Sequence, residues 1–101
     1  MEKALLAGQT ETTPERNEEV LEAQLLLIKA RLEAAETEVD RIALYEKAIE
    51  VLKQYEKTAQ AQFTAGRGTE VAVLKIKARR LEVEIQLEQA KIKEAKKEPK
   101  Q

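Results

Sequence analysis

The chain has 101 residues, enough for one small domain, and its 43% hydrophobic and 37% charged residues are typical of long or coiled helices. It contains no Cys, His, Ser or Trp, which removes the usual catalytic nucleophiles, the imidazole base and the preferred ligands of zinc. The net charge of −1 comes from interleaved charges of both signs, whereas nucleic-acid binding requires a basic face. The one basic cluster, "KIKEAKKEPKQ" (91–101), is explained by the preference for cations at the C-terminal end of a helix. We therefore expect no catalytic or metal site, no cofactor and no nucleic-acid partner.

The sequence also predicts no membrane span, because no apolar run approaches the roughly 20 residues that a spanning helix needs. Near the N-terminus the apolar stretch covers only residues 4–7, whereas a signal peptide needs roughly 7–15 such residues. We expect no export signal in this sequence, which fits a cytosolic protein or a mature or excised piece of an exported one.

The first predicted element is a long helix. Residues 1–12 are interpreted as a frayed or short helical lead-in, followed by Thr13 as N-cap and Pro14 at the first helical position. No Gly or Pro follows before Thr64, and apolar residues recur every three or four positions, which predicts one helix over 14–64. The apolar row shows a phase slip at the steps 39–42–45, where both steps are threes, and Glu56 interrupts it.

A turn over 65–68 is predicted next. Gly66 is placed to close a Schellman-type cap, and Gly68 adds conformational freedom. Thr69 then reads as the N-cap of a second helix over 69–98, with Glu70 in its first turn, and Pro99 ends that helix before a tail over 99–101. The sequence thus predicts an all-α domain over 13–98, a long antiparallel, coiled-coil-like helical hairpin.

The second helix carries two apolar rows. The first contains Val71, Leu74, Ala78, Leu81, Ile85 and Ile92, and the second contains Val73, Ile76, Val83, Leu87 and Ala90. Two rows indicate either packing neighbours on two sides or one broad stripe that faces a core.

In such a hairpin the second helix ends opposite residue 36 and leaves residues 14–35 uncovered. This overhang holds a cluster of large aliphatic side chains: Leu21, Leu25, Leu26, Leu27, Ile28 and Leu32. We expect the cluster to be buried by self-association across a two-fold axis, most simply as a homodimer. The alternative is that the helix breaks near "AAETEVDR" and folds back into a three-helix bundle. The lack of Gly, Pro or Asn in that stretch argues against the break, and the similar lengths of the three segments favour it.

The segment "FTAGRGTEVAVLKIKARRLEVEIQLEQAK" (63–91) resembles the hairpin repeat of TolC-type outer-membrane efflux proteins, and the likeness extends back to residue 41. The residues that match the repeat are Phe63, Gly66, Thr69, Val73 and Leu74. The Asp of the family pattern is replaced by Ala72, and the chain has no segment that corresponds to a β-barrel.

This resemblance implies a non-enzymatic, structural or protein-binding role in the periplasm. In that family the turn contacts the hairpin of a periplasmic adaptor protein, so the resemblance implies a protein-binding tip formed by Phe63, Gly66, Arg67, Gly68, Thr69, Glu70 and Val71. The main alternative is a cytosolic, oligomeric coiled-coil scaffold in which the tip is only a turn. A carboxylate-based enzyme would require a concave polar pocket as well as the abundant glutamates.

Overall fold

The computed structural model of this protein describes residues 14–97, and within that range the chain forms three helices and no strand. They are α1 (Pro14–Ala34), α2 (Glu38–Thr64) and α3 (Glu70–Lys97). The predicted all-helical class is confirmed. Four details of the sequence interpretation lie outside the described residues: the lead-in over 1–12, the Thr13 cap, the helical end at Glu98 and the tail over 99–101.

The predicted continuous helix over 14–64 is wrong, because the chain leaves the helical conformation at residues 35–37. Thr37 is extended, with φ −127° and ψ 160°, and its hydroxyl accepts a hydrogen bond from the Asp40 N–H at 3.1 Å. This side chain caps the start of α2 by satisfying a backbone donor that has no partner within the helix. A threonine cap therefore stabilises the break, which contains no Gly, Pro or Asn.

Arg41 stabilises the same break from the first turn of α2. Its guanidinium donates to the Ala35 carbonyl oxygen at 3.1 Å and to a Glu38 carboxylate oxygen, also at 3.1 Å. The first contact satisfies the Ala35 carbonyl just after the end of α1, where the helix provides no N–H donor for it. One side chain thus connects the end of α1 to the beginning of α2.

The break lets α1 fold back antiparallel onto α2, so the predicted overhang does not exist. Leu21 and Ile28 are buried, Leu25 and Leu32 are half-buried, and Leu26 and Leu27 remain exposed. Burying a large aliphatic side chain contributes about 1.5–3 kcal/mol, so Leu21 and Ile28 together favour the folded-back arrangement by about 3–6 kcal/mol. The fold itself covers most of the cluster that motivated self-association through residues 21–32.

Helix α2 lies between the other two helices and packs most extensively against α3. The buried side chains of this pair are Ala48, Leu52 and Ala59 on α2 and Val73, Leu87 and Ala90 on α3. Three alanines among these six positions allow the helices to approach closely, while Leu52 is fully buried. Helices α2 and α3 form the antiparallel hairpin that positions the tip.

Candidate protein-interaction surface

The turn between α2 and α3 is a Schellman motif. The Arg67 N–H donates to the Gln62 carbonyl oxygen at 2.7 Å, and the Gly66 N–H donates to the Phe63 carbonyl oxygen at 3.0 Å. Gly66 has a φ of +78°, the left-handed conformation that the motif requires at this position. The predicted role of Gly66 is confirmed, and the tip is held by backbone hydrogen bonds.

Gly68 has a different role from the one that the sequence suggested. Among the glycines within residues 14–97, only Gly66 has a positive φ. Gly68 is therefore not in the left-handed conformation. A Cβ atom built on Gly68 would lie 3.2 Å from the Gln62 Cβ and 3.5 Å from the Phe63 nitrogen. Position 68 therefore favours a residue without a Cβ atom, because the chain passes close to the last turn of α2.

Thr69 caps α3 as the sequence predicted. Its hydroxyl oxygen accepts a hydrogen bond from the Ala72 N–H at 3.1 Å, and the helix begins at Glu70 with an acidic side chain in its first turn. Ala72 is half-buried and lines a groove that α1 shares with α2 and α3.

The predicted tip residues form a continuous and mostly exposed end of the hairpin. Phe63 retains 40% of its accessible surface and Val71 retains 61%, and Arg67 between them is exposed. Gly68 is half-buried, whereas Gly66, Thr69 and Glu70 are exposed. The tip therefore combines two apolar side chains with the cation of Arg67 and the anion of Glu70, on a turn held by backbone hydrogen bonds.

The larger apolar surface runs along the outside of α3. We call this surface the outer stripe; it consists of Val71, Leu74, Ala78, Leu81, Ile85 and Ile92. All six are exposed, and the five large side chains retain between 47% and 61% of their accessible surface. Contiguous exposed apolar rows of this kind mark interaction sites more often than isolated exposed side chains do.

The outer stripe lies opposite the row of α3 that packs on α2. Val73, Leu87 and Ala90 of that inner row are buried, and Ile76 and Val83 are half-buried. Of the two interpretations of the apolar rows, one broad stripe facing a core does not fit, because the rows occupy separate faces of α3. Within residues 14–97 one face has a neighbour and the other is exposed to solvent.

Glu56, which interrupts the apolar row of α2, forms an ion pair with Arg80, which interrupts the inner row of α3. Arg80 Nε donates to Glu56 Oε1 at 2.7 Å, and Arg80 Nη1 donates to Glu84 Oε2 at 2.9 Å. The hydrogen bonds to Glu56 and then Glu84 raise the pKa of Arg80 above its ordinary value. The sequence contains a signal for this pair, because a charged residue interrupts an apolar row on each of the two helices.

A groove of about 300 Å³ lies among the three described helices beside the tip. Its ionic side chains pair across the groove: Arg79 Nη2 lies 2.6 Å from Glu22 Oε2, and Lys75 Nζ lies 3.5 Å from Glu18 Oε2. These two contacts connect α1 to α3, and Glu82 also lines the groove. Residues 14–97 contain no group of three or more side chains placed to hold a metal ion.

None of the described helices is both long and apolar enough to span a membrane. Comparison of the sequence with protein-family models gives no match, and comparisons with curated proteins and with solved structures give none either. No relative therefore supports the resemblance to the TolC-type repeat, which depends on the residues of the turn and its flanking helices alone.

Proposed function

We propose that this protein is a non-enzymatic, self-associating helical scaffold that acts through helix–helix contacts. The observation that supports this function is the outer stripe, an apolar row opposite the face of α3 that packs on α2. A helix with apolar rows on two faces is stable in water when both faces have packing partners. The paired charges in the groove beside the tip also favour a structural role over catalysis.

The test of this function is the solution mass of the full chain, measured by light scattering at micromolar concentration. We expect a dimer or a larger oligomer, with a melting temperature that rises with protein concentration because association stabilises the folded state. A monomer whose melting temperature does not depend on concentration would contradict the proposal.

A second candidate function is docking of the tip onto the hairpin of a periplasmic adaptor protein. The observation that favours it is the exposure of Phe63 and Val71 on either side of Arg67, on a turn fixed by the Schellman hydrogen bonds. This candidate implies a periplasmic location, whereas the scaffold function is equally compatible with the cytosol.

Tip docking is tested by titrating the full chain with an adaptor hairpin. The Arg67→Ala variant should weaken binding without changing the melting temperature, because Arg67 contacts solvent at the end of the turn. Lys53→Ala is the matched control, since Lys53 is an exposed cation on α2, away from the tip. Equal binding by the original protein and the Arg67→Ala variant would show that the tip is only a turn.

A further inference from the structure

The outer stripe has the spacing of a coiled-coil seam. Its members alternate in steps of three and four along α3, which assigns Val71, Ala78, Ile85 and Ile92 to heptad position a and Leu74 and Leu81 to position d. The next d position is Glu88, which is exposed. The stripe therefore offers about three heptads of apolar surface with one charged layer near its C-terminal end.

The flanks of the stripe carry an ordered pattern of charge. On the g side Glu70, Lys77, Glu84 and Lys91 alternate in sign, and on the e side Lys75 is followed by Glu82. In coiled coils these two positions determine which partner binds and in which orientation.

We propose that a second copy of this chain packs antiparallel on the outer stripe, with Ala78 of each copy opposite the partner's Leu81. This inference rests on the proposed self-associating function and assigns its interface and orientation. In this register Leu74 packs against the partner's Ile85, and Val71 lies beside the aliphatic part of the partner's Glu88. A two-fold axis passes between the central layers, so each contact occurs twice.

The charges on both flanks fit this register. On the g side, Glu70 faces the partner's Lys91 and Lys77 faces the partner's Glu84. On the e side, Lys75 faces the partner's Glu82. Each flanking pair therefore joins opposite charges, which fixes orientation and register through electrostatic complementarity.

Other arrangements of the same stripe place like charges together. A parallel, in-register dimer would keep two attractive contacts, Glu70 with the partner's Lys75 and Lys77 with the partner's Glu82. It would also put Glu88 against the partner's Glu88 in the seam and Lys91 against the partner's Lys96. An antiparallel dimer shifted by one heptad would put Glu84 against the partner's Glu84 and Lys77 against the partner's Lys91. Like-charge contacts of this kind are destabilising, so the charge pattern favours the register with Ala78 opposite Leu81.

Contacts within one copy leave the flanking side chains accessible. Lys75 lies 3.5 Å from Glu18, but its side chain is 65% exposed. Glu84 accepts from Arg80 at 2.9 Å with a side chain that is 37% exposed, and a carboxylate can accept further hydrogen bonds. Both residues can therefore contact a second copy while they keep their partners within the chain.

The interface is tested first with a stripe variant of the full chain, Leu81→Gln with Ile85→Gln. We expect it to be a monomer at micromolar concentration with the helical content of the original protein, since both side chains are exposed in one copy. The matched control is Leu26→Gln with Leu27→Gln, which changes two exposed side chains of α1 and should leave the dimer intact. A stripe variant that remains dimeric would overturn this inference but not the proposed function.

The orientation is tested with charges. Lys77→Glu should raise the dimer dissociation constant about tenfold, because two attractive contacts become repulsive by symmetry. Adding Glu84→Gln to that variant removes the repulsion in the antiparallel register while keeping an acceptor for Arg80, and it should restore part of the affinity. In a parallel dimer the second change would leave position 77 facing the unchanged Glu82 and would restore nothing, which would overturn the antiparallel arrangement.

The register is tested by crosslinking, which is clean because the chain contains no cysteine. Val71→Cys and Glu88→Cys variants are each treated with a short thiol crosslinker, alone and after being unfolded and refolded together. In the antiparallel dimer, identical positions lie about 25 Å apart along the helix axis, so only the mixture should give crosslinked dimers. Crosslinking of either variant alone would indicate a parallel dimer. A monomeric original protein, with the stripe covered by residues 1–13 or reserved for a different protein, would overturn both the inference and the proposed function.

Discussion

Arg80 of α3 and Glu56 of α2 form an ion pair across the hairpin, with Nε and Oε1 2.7 Å apart and side chains that are only 18% and 22% exposed. Each charge occupies a position in an otherwise apolar row. Burying a charge costs desolvation free energy unless the charge has a partner, so each of these side chains offsets the cost of burying the other. The pair also fixes the register of α2 against α3, because a shift by one turn would separate the two groups.

Glu56→Gln should lower the free energy of unfolding by about 1–3 kcal/mol, because Arg80 loses its shortest charged partner in a mostly buried position. Urea denaturation measures the effect. Glu46→Gln is the matched control, since Glu46 is an exposed carboxylate on the same helix, away from the outer stripe, and should contribute little. Replacing both members, Glu56→Leu with Arg80→Leu, should recover most of the lost free energy of unfolding. No recovery would mean that the ion pair contributes more to stability than apolar packing at the same positions.

The hydrogen bonds that raise the pKa of Arg80 contribute fully to the stability of the fold at neutral pH. A cation whose pKa is raised on folding stabilises the fold at every pH below its ordinary value, and this contribution is lost only as the pH rises through the folded value. We therefore expect the effect of Glu56→Gln to be unchanged between neutral and moderately alkaline pH.

The fold-back of α1 onto α2 is measurable as a distance. Asn17 and Gln62 line the same groove, so spin labels on cysteines introduced at the exposed positions Glu19 and Gln60 should lie less than about 30 Å apart, given packed helix axes about 8–10 Å apart. One continuous helix would separate these positions by about 60 Å. Double electron–electron resonance distinguishes the two, and the long distance would reinstate the uninterrupted helix. The sample is diluted with unlabelled protein so that distances between copies do not contribute.

The cap at Thr37 stabilises the helix break. Thr37→Ala should lower the free energy of unfolding by about 0.5–2 kcal/mol, because the Asp40 N–H loses its acceptor. Thr58→Ala is the control within the same helix, where an exposed interior position gains helix propensity and should be neutral or slightly stabilising. Thermal unfolding of both variants checks this, and equal stability of the two would indicate that tertiary packing alone sets the break.

The two glycines of the turn should respond differently to substitution. Gly66→Ala should cost about 1–2 kcal/mol through its left-handed backbone, since no atom lies within 4 Å of an added Cβ. Gly66→Asn should recover part of that loss, because Asn tolerates this conformation better. Gly68→Asn should be no better than Gly68→Ala, because the obstacle there is the Gln62 side chain. Chemical denaturation of the four variants is the measurement, and the same pattern at both positions would contradict the distinction.

Ala72 occupies the third helical position after the Thr69 cap, where an acidic side chain completes a capping box. Ala72→Glu should therefore stabilise the protein by about 0.3–1 kcal/mol, and the gain should shrink in high salt. Melting temperatures at low and high ionic strength test both parts. A loss of stability would show that the half-buried Ala72 has no room for a longer side chain in the groove.

The amino-acid sequence by itself determined the helical class, the Schellman turn at Gly66, the Thr69 cap and the two apolar rows of α3, because each depends on residues within a few positions along the chain. The break at Thr37 had a local signal, the Thr-x-x-Asp pattern beside the phase slip at 39–42–45, but a cap is worth only about 1 kcal/mol. Only tertiary packing of Leu21 and Ile28 adds enough to favour folding back over continuing the helix. The pairing of Glu56 with Arg80, the steric role of Gly68 and the exposure of the outer stripe were likewise decided by the tertiary structure. Each depends on which face of a helix packs against a neighbour. Apolar periodicity identifies the apolar faces of a helix but not the helices that pack on them.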